Sequence, residues 1–252
     1  MWFDQIDPRD PLKLTNGVWG LLSRYYFKNN ANLWLWCLYG NTKPRPWDIG
    51  KTNKYIPEFG GRFQHPIPTG EIALSYHFRM ADTRGMGPQI PEYDQIPENR
   101  IGLDTKVDLK VGLWFEGTWI TKSKDIGEFT NQEILCIGTD YTFGIGNGLY
   151  VLFEQLLYAY CEQPFEFQQK ISYSGFTLTY PIGIVDNISA IIYYDWDNNN
   201  AYNFINWNHN FKHISFYLMG YWNPEQYNLP QYGAATDTFA GPGIQVMLVY
   251  NH

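Results

Sequence analysis

Glu71-Ile72-Ala73-Leu74-Ser75-Tyr76-His77-Phe78-Arg79-Met80 alternates without a break. Ile72, Leu74, Tyr76, Phe78 and Met80 share one face, and Glu71, Ala73, Ser75, His77 and Arg79 share the other. Successive side chains of an extended chain point to opposite sides, so a period of two predicts a β-strand with one apolar and one polar face. The polar face here carries full charges. A strand of about ten residues, apolar on one side and charged on the other, suits a boundary between lipid and water.

The same rhythm continues in both directions from this segment. It predicts about thirteen strands, over 18–27, 31–40, 57–66, 71–80, 99–107, 111–121, 132–143, 149–160, 170–181, 188–196, 203–210, 213–222 and 243–250. Ile101, Leu103 and Val107 oppose Arg100, Asp104 and Lys106; Val111, Leu113, Phe115 and Trp119 oppose Trp114, Glu116 and Thr118. Ile188, Ala190, Ile192, Tyr194 and Trp196 oppose Ser189, Tyr193 and Asp195, and Ile244, Val246, Leu248 and Tyr250 oppose Gln245 and Met247. Two segments are less clean. In 149–160 Leu and aromatic residues fall on both faces around Glu154, and in 203–210 Phe204, Asn206 and Asn208 oppose Ile205, Trp207 and His209. Helical periodicity is broken nearly everywhere by Gly, Asn, Thr and β-branched or aromatic residues.

The connections carry a second signal. Short turns fall at 28–30, 68–70, 108–110, 144–147, 182–187 and 211–212, and longer gaps at 41–56, 81–98, 122–131, 161–169, 197–202 and 223–242. They alternate, short then long, through the chain. The long gaps have loop chemistry, as in Asn41-Thr42-Lys43-Pro44-Arg45-Pro46-Trp47 and Gly85-Met86-Gly87-Pro88. A barrel with short periplasmic turns and long extracellular loops requires this alternation, whereas a sandwich or jelly roll does not. The expected fold is therefore all-β, an antiparallel up-and-down transmembrane β-barrel. Residues 17–252 would form its strands, and residues 1–16 an extracellular or lumen-folded segment. An odd strand count, with no signal peptide visible at Met1-Trp2-Phe3-Asp4, leads to the expectation of a barrel incomplete at its N-terminus.

Composition is consistent with this reading. Aromatic residues make up 18% of the chain and charged residues 17%, which suits interfacial belts of Tyr and Trp. Trp19, Tyr25, Trp36, Tyr39, Trp119, Tyr141, Tyr160, Tyr180, Trp196, Trp222 and Tyr250 lie near predicted strand ends. The net charge of −7 disfavours nucleic acid, which needs a basic footprint. Cys37, Cys136 and Cys161 match no metal-binding spacing and are read as incidental small residues. No uninterrupted apolar run of 18 residues exists, a fact that does not bear on barrels.

Asp4-Gln5-Ile6-Asp7-Pro8-Arg9-Asp10-Pro11-Leu12, the hairpin from Gly60-Gly61-Arg62-Phe63 to Gly70-Glu71-Ile72-Ala73-Leu74-Ser75-Tyr76-His77, and Arg100-Ile101-Gly102-Leu103-Asp104 carry a likeness in pattern. On them the chain resembles a Gram-negative outer-membrane porin-like barrel of the large kind. The resemblance implies an outer-membrane location and a signal peptide lost with the N-terminus. It also implies contact with outer-membrane lipid and with the assembly machinery, and passive passage of small polar or ionic solutes; homo-oligomerisation is left open. Such barrels usually end in an aromatic residue, whereas here Tyr250 is followed by Asn251-His252.

The candidate pore-lining residues are Arg24, Arg62, Arg79, Arg100, Lys106, Glu71, Asp104, Glu116, Asp140, Glu154 and Asp195. Charges along a pore set ion preference and orient polar solutes. The basic residues at 62, 79 and 100 are expected to build a positive wall facing later carboxylates, with a mutually neutralised lumen as the alternative. Arg79→Glu is expected to leave folding intact. Trp34, Trp36 and Trp114 are expected on the lumen face. No catalytic group, metal or cofactor is expected: Asp4, Asp7 and Asp10 lack the rest of a calcium loop, and Ser75 and His77 have no orienting partner. Two other readings stand beside the channel. One is a soluble secreted aromatic-rich β-sandwich that binds carbohydrate, and the other is a non-conducting structural barrel.

Overall fold

The computed structural model describes residues 17–42, 44, 48–167, 169–225 and 239–250. Its strands are β1 (Gly20–Tyr26), β2 (Asn32–Leu38), β3 (Lys51–Thr52), β4 (Glu58–Ile67), β5 (Gly70–Asp82), β6 (Ile96–Asp108) and β7 (Gly112–Lys122). They continue as β8 (Asn131–Phe143), β9 (Leu149–Cys161), β10 (Gln169–Pro181), β11 (Asp186–Asp195), β12 (Asn200–Asn210), β13 (Ile214–Trp222) and β14 (Pro242–Tyr250). The sheet order is β1-β2-β4-β5-β6-β7-β8-β9-β10-β11-β12-β13-β14, and β3 pairs off that path with β5. The fold is all-β and antiparallel, with each strand of the path beside the next one along the chain. All thirteen anticipated strands are present; β3 is additional and lies inside the anticipated 41–56 gap. Among the described residues no helix is long and apolar enough to cross a membrane.

The hairpin between β4 and β5 shows how tightly the register is set. Ile67 pairs with Gly70 across Pro68-Thr69, and Gly70 also pairs with Val107 of β6. A Cβ at position 70 would collide with the Lys106 carbonyl oxygen, so only glycine fits. The connection between β11 and β12 is shorter than anticipated. It spans 196–199 rather than 197–202 and includes Asn199 at φ 52°. Asp195 folds it tightly: its carboxylate accepts the Asp197 and Asn198 amides at 3.0 and 3.1 Å. The strict short-then-long alternation therefore fails at this one connection. Residues 1–16, most of the 223–242 loop and Asn251-His252 lie outside the described residues.

The chain divides into two compact units. The first runs to Leu109 and takes in Leu113–Ile137 and Leu157–Lys170; the second comprises Lys110–Gly112, Gly138–Leu156 and the chain from Ile171 onward. In unit 1, Ala81, Ile96 and Ile126 form a small core with Ile49, Ile90, Tyr93 and Phe129 from the long connections. In unit 2, Tyr173, Tyr202, Phe204, Met219 and Phe239 form the core.

Candidate functional site

In unit 1 the backbone register lines up whole rows of side chains. Tyr25, Leu33, Phe63, Leu74 and Leu103 pair in succession across β1, β2, β4, β5 and β6. The next row runs Leu35, Gly61, Tyr76 and Ile101. These apolar rows are turned outward: Leu74 is 58% exposed, and Phe63, Tyr76, Ile101 and Leu103 are exposed with it. The opposite face carries the row Arg24, Trp34, Arg62, Ser75 and Gly102, and beside it Leu22, Trp36, Gly60, His77 and Arg100. Along β5 the odd-numbered positions from Ala73 to Ala81 are buried and the apolar even-numbered ones are more open. The arrangement inverts that of a soluble sheet.

Toward the long connections this charged face closes into a buried ion network. Arg79, 1% exposed, donates to both carboxylate oxygens of Glu98, Nε to Oε1 at 2.6 Å and Nη2 to Oε2 at 2.9 Å. Its other three N–H groups reach the Gly50 and Ile49 carbonyls and the Thr52 hydroxyl, at 3.3, 3.1 and 3.1 Å. All five guanidinium donors are thus satisfied. Arg100 donates to Glu98 at 2.8 Å and to Asp48 at 2.6 Å. The Lys122 ammonium lies 3.4 Å from Glu98 and donates to the Phe129 carbonyl and to Gln132, and Gln132 donates to the Tyr158 hydroxyl. Three cations therefore meet two carboxylates in a region from which water is excluded. Such a group holds only while every member is paired.

One row further from the long connections, Trp36 donates to His77 Nδ1 at 3.0 Å, and His77 Nε2 lies 3.0 Å from Glu58. A donor at Nδ1 leaves the ring proton on Nε2, where it bonds to the carboxylate. The Trp36 indole lies over Gly60, its cross-strand partner, in space that a Cβ would fill. Toward the short turns the pairs become accessible. Arg62 grips Asp104 at 2.6 and 3.4 Å and donates to Gln64 at 2.8 Å, and Gln64 in turn meets Glu71. Arg24 stacks on Trp34 at 4.1 Å, with Arg62 5.8 Å from the same ring. Lys106 is exposed, 3.7 Å from Asp108.

The anticipated positive wall is therefore not present. Arg62, Arg79 and Arg100 do lie on one face, but each is neutralised by a carboxylate: Arg62 by Asp104 two strands away, Arg79 by Glu98 on the neighbouring strand, and Arg100 by Glu98 on its own strand and Asp48 from a long connection. Coulomb attraction at under 3 Å outweighs any arrangement that would segregate the signs. Glu98, Lys122 and Asp48, which organise this network, are missing from the sequence-derived candidates. Glu98 falls one residue before the anticipated start of its strand, Lys122 one residue past the end of its own, and Asp48 within a loop. Extending the alternation by one step at each strand end would have found the first two.

In unit 2, Asp140 accepts the Tyr150 hydroxyl at 3.0 Å, and Glu154 is partly buried. Asp195 is wholly buried, and its carboxylate is turned into its own turn and onto Tyr173 at 3.2 Å. The outward rows are again apolar: Leu178, Ala190, Ile205, Gly220 and Ile244 pair in succession, beside Tyr180, Ile188, Trp207, Leu218 and Val246. Ile244 is 77% exposed. Of the anticipated belt residues, Trp19, Tyr25, Tyr39, Tyr141, Trp196, Trp222 and Tyr250 are exposed. Trp36 instead turns to His77, and Tyr160 packs on Phe129 and Tyr158. Cys37, Cys136 and Cys161 are free thiols. Among the described residues no group of His, Cys, Asp and Glu is gathered to hold a metal.

No family model and no curated protein matches this sequence. Among solved structures, an anion-selective porin from Comamonas acidovorans is similar over 88% of this chain and 73% of that one, at 15% identity and a TM-score of 0.49.

Proposed function

We propose that this chain forms the strand wall of an outer-membrane channel through which small polar or ionic solutes pass passively. The observation that carries the reading is the pair of opposed faces within each unit. Contiguous apolar rows are exposed, and the charges lie on the reverse. Rows of exposed Leu, Ile, Val and Phe side chains over five neighbouring strands are far more apolar surface than water tolerates, and hydrocarbon is the solvent that suits them. The solute-facing groups are Arg24, Arg62, Lys106, Glu71, Asp104 and Glu116 in unit 1, and Asp140 and Glu154 in unit 2. Arg79 and Arg100 act behind them by holding the strand ends together. On this reading the immediate partners are outer-membrane lipid and the assembly machinery, and homo-oligomerisation is open to measurement. The exposed apolar rows weigh against a soluble carbohydrate-binding sandwich, whose outer surfaces would be polar.

The test is reconstitution of the chain in planar lipid bilayers in potassium chloride. Stepwise ohmic currents are expected. Arg62→Gln, which leaves the Asp104 carboxylate unpaired, should move the reversal potential in a salt gradient toward cation preference. Stable incorporation without current would support the non-conducting structural barrel instead. A monodisperse, detergent-free soluble protein would support the sandwich.

A further inference from the structure

The outward face of unit 2 carries one charged interruption. Register sets Asp186, His209, Phe216 and Leu248 in a row across β11 to β14, next to the apolar row of Ile188, Trp207, Leu218 and Val246. Asp186 opens β11 and His209 stands one residue from the end of β12, so both lie at the short-connection end. At the outward positions that these registers fix from β10 to β14, Asp186 is the only carboxylate and His209 the only basic side chain. Asp186 Oδ1 takes two hydrogen bonds, from Trp207 Nε1 at 3.0 Å and from His209 Nδ1 at 2.7 Å. Asp186 Oδ2 and His209 Nε2 meet no polar group among the described residues. The pair is open to its surroundings, with side-chain exposures of 26% and 24%. Ile182 and Ile184 of one turn, and Phe211 and Lys212 of the next, stand exposed at the same end, and the Phe211 ring lies 4.2 Å from that of His209. A charged pair on an apolar face is costly in hydrocarbon and well placed at headgroup depth, where Trp and its polar tip also belong.

We propose that Asp186 and His209 bind the headgroup of a phospholipid that carries a primary ammonium, phosphatidylethanolamine by its chemistry. The ammonium donates to Asp186 Oδ2, a charge-assisted bond to the oxygen that Trp207 and His209 leave open. The phosphate lies toward His209 and the exposed Lys212, where a protonated imidazole Nε2–H and the lysine ammonium donate to it. The acyl chains run over Ile188, Leu218 and Val246. Charge complementarity selects this lipid over its relatives. A quaternary choline headgroup has the same charge but no N–H to donate, and a glycerol headgroup brings the phosphate without any cation for Asp186. The inference rests on the reading that the exposed apolar rows face lipid, and it assigns one lipid class to one place on them.

Native mass spectrometry of the full chain, delipidated in detergent and titrated with dioleoyl phospholipids, tests it. Phosphatidylethanolamine is expected to be retained about three- to tenfold better than phosphatidylcholine or phosphatidylglycerol. The N-monomethyl and N,N-dimethyl lipids should fall between the first two in order, because each methyl group replaces one N–H donor. This series needs no variant. Asp186→Asn keeps the shape of the side chain and the acceptor for Trp207 but removes the charge, so it should erase the preference. Equal retention along the methyl series, tighter binding of phosphatidylglycerol, or an undiminished preference in Asp186→Asn overturns the proposal. Bilayer current separates this site from the channel. Preference for the primary ammonium without current leaves the site standing and sinks the channel. Current with no preference among the lipids does the reverse. A chain that stays monodisperse without detergent and retains no lipid overturns both.

Discussion

Glu98 touches Arg79, Arg100 and Lys122 together. Glu98→Gln would take a shared carboxylate from three buried cations at once, leaving Asp48 to Arg79 and Arg100, so the expected loss is about 3–5 kcal/mol, read as a fall in the urea midpoint of the refolded protein. An unchanged midpoint would mean that water reaches this network. Arg79→Glu is worse than the sequence suggests. Read as a free lumen charge, Arg79 looks replaceable. In place it is 1% exposed and fully hydrogen-bonded, and a glutamate there would set two carboxylates against each other. Arg62 is the contrast. Its pair with Asp104 is partly open, with side-chain exposures of 20% and 25%, so Arg62→Gln is expected to cost no more than about 1 kcal/mol. Gly60 belongs to the same scale: Gly60→Ala would displace the Trp36 indole and, with it, the hydrogen bond that orients His77. Loss of the Trp36 contribution to near-ultraviolet dichroism would report the displacement, and a wild-type spectrum would show that the ring has room to shift.

At the scale of the element, β5 provides the plainest test. Leu74 stands in the middle of the strand, in an apolar row five residues wide, so Leu74→Arg should obstruct membrane assembly at a cost of about 2–4 kcal/mol. Normal heat-modifiable mobility of that variant in native electrophoresis would count against a lipid-facing row. The strands were legible because a period of two is visible wherever one face is apolar, and β5 shows it from Glu71 to Met80 without a break. What the period cannot tell is who pairs with whom. It assigns Arg79 and Arg100 to a face but does not show that Glu98, two residues from Arg100 on β6, stands opposite Arg79, or that Asp48 folds in from a loop. β3 went unseen because two residues carry no period, and the 196–199 turn because its tightness comes from Asp195, an acid that reads equally well as a pore charge. Asp195→Ala should loosen that turn by about 1–3 kcal/mol, and faster amide exchange at Asp197 and Asn198 would show it.

For the whole molecule, the up-and-down order makes a topological prediction that needs no distances. Each strand of the path is antiparallel to the next, so alternate connections lie at opposite ends of the sheet. Counting along the chain, the connection after β5, which contains Gly85, and the connection after β10, which contains Gly183, are separated by five path strands, β6 to β10. An odd number of crossings places them at opposite ends, and hence on opposite sides of a membrane if the rows of exposed apolar residues face lipid. Both sites tolerate an insertion, since both glycines are exposed in turns and neither has an atom near its Cβ position. A short epitope inserted after Gly85 should be reached by antibody on intact cells, because the long connections face outward in such barrels. The same epitope after Gly183 should be reached only after the membrane is permeabilised. Labelling of both in intact cells would break the link between strand order and membrane sidedness, and with it the lipid-facing assignment of the apolar rows. Reversal of the two would keep the membrane but invert the chain, turning the short connections outward and placing the Arg79–Glu98 network on the inner side.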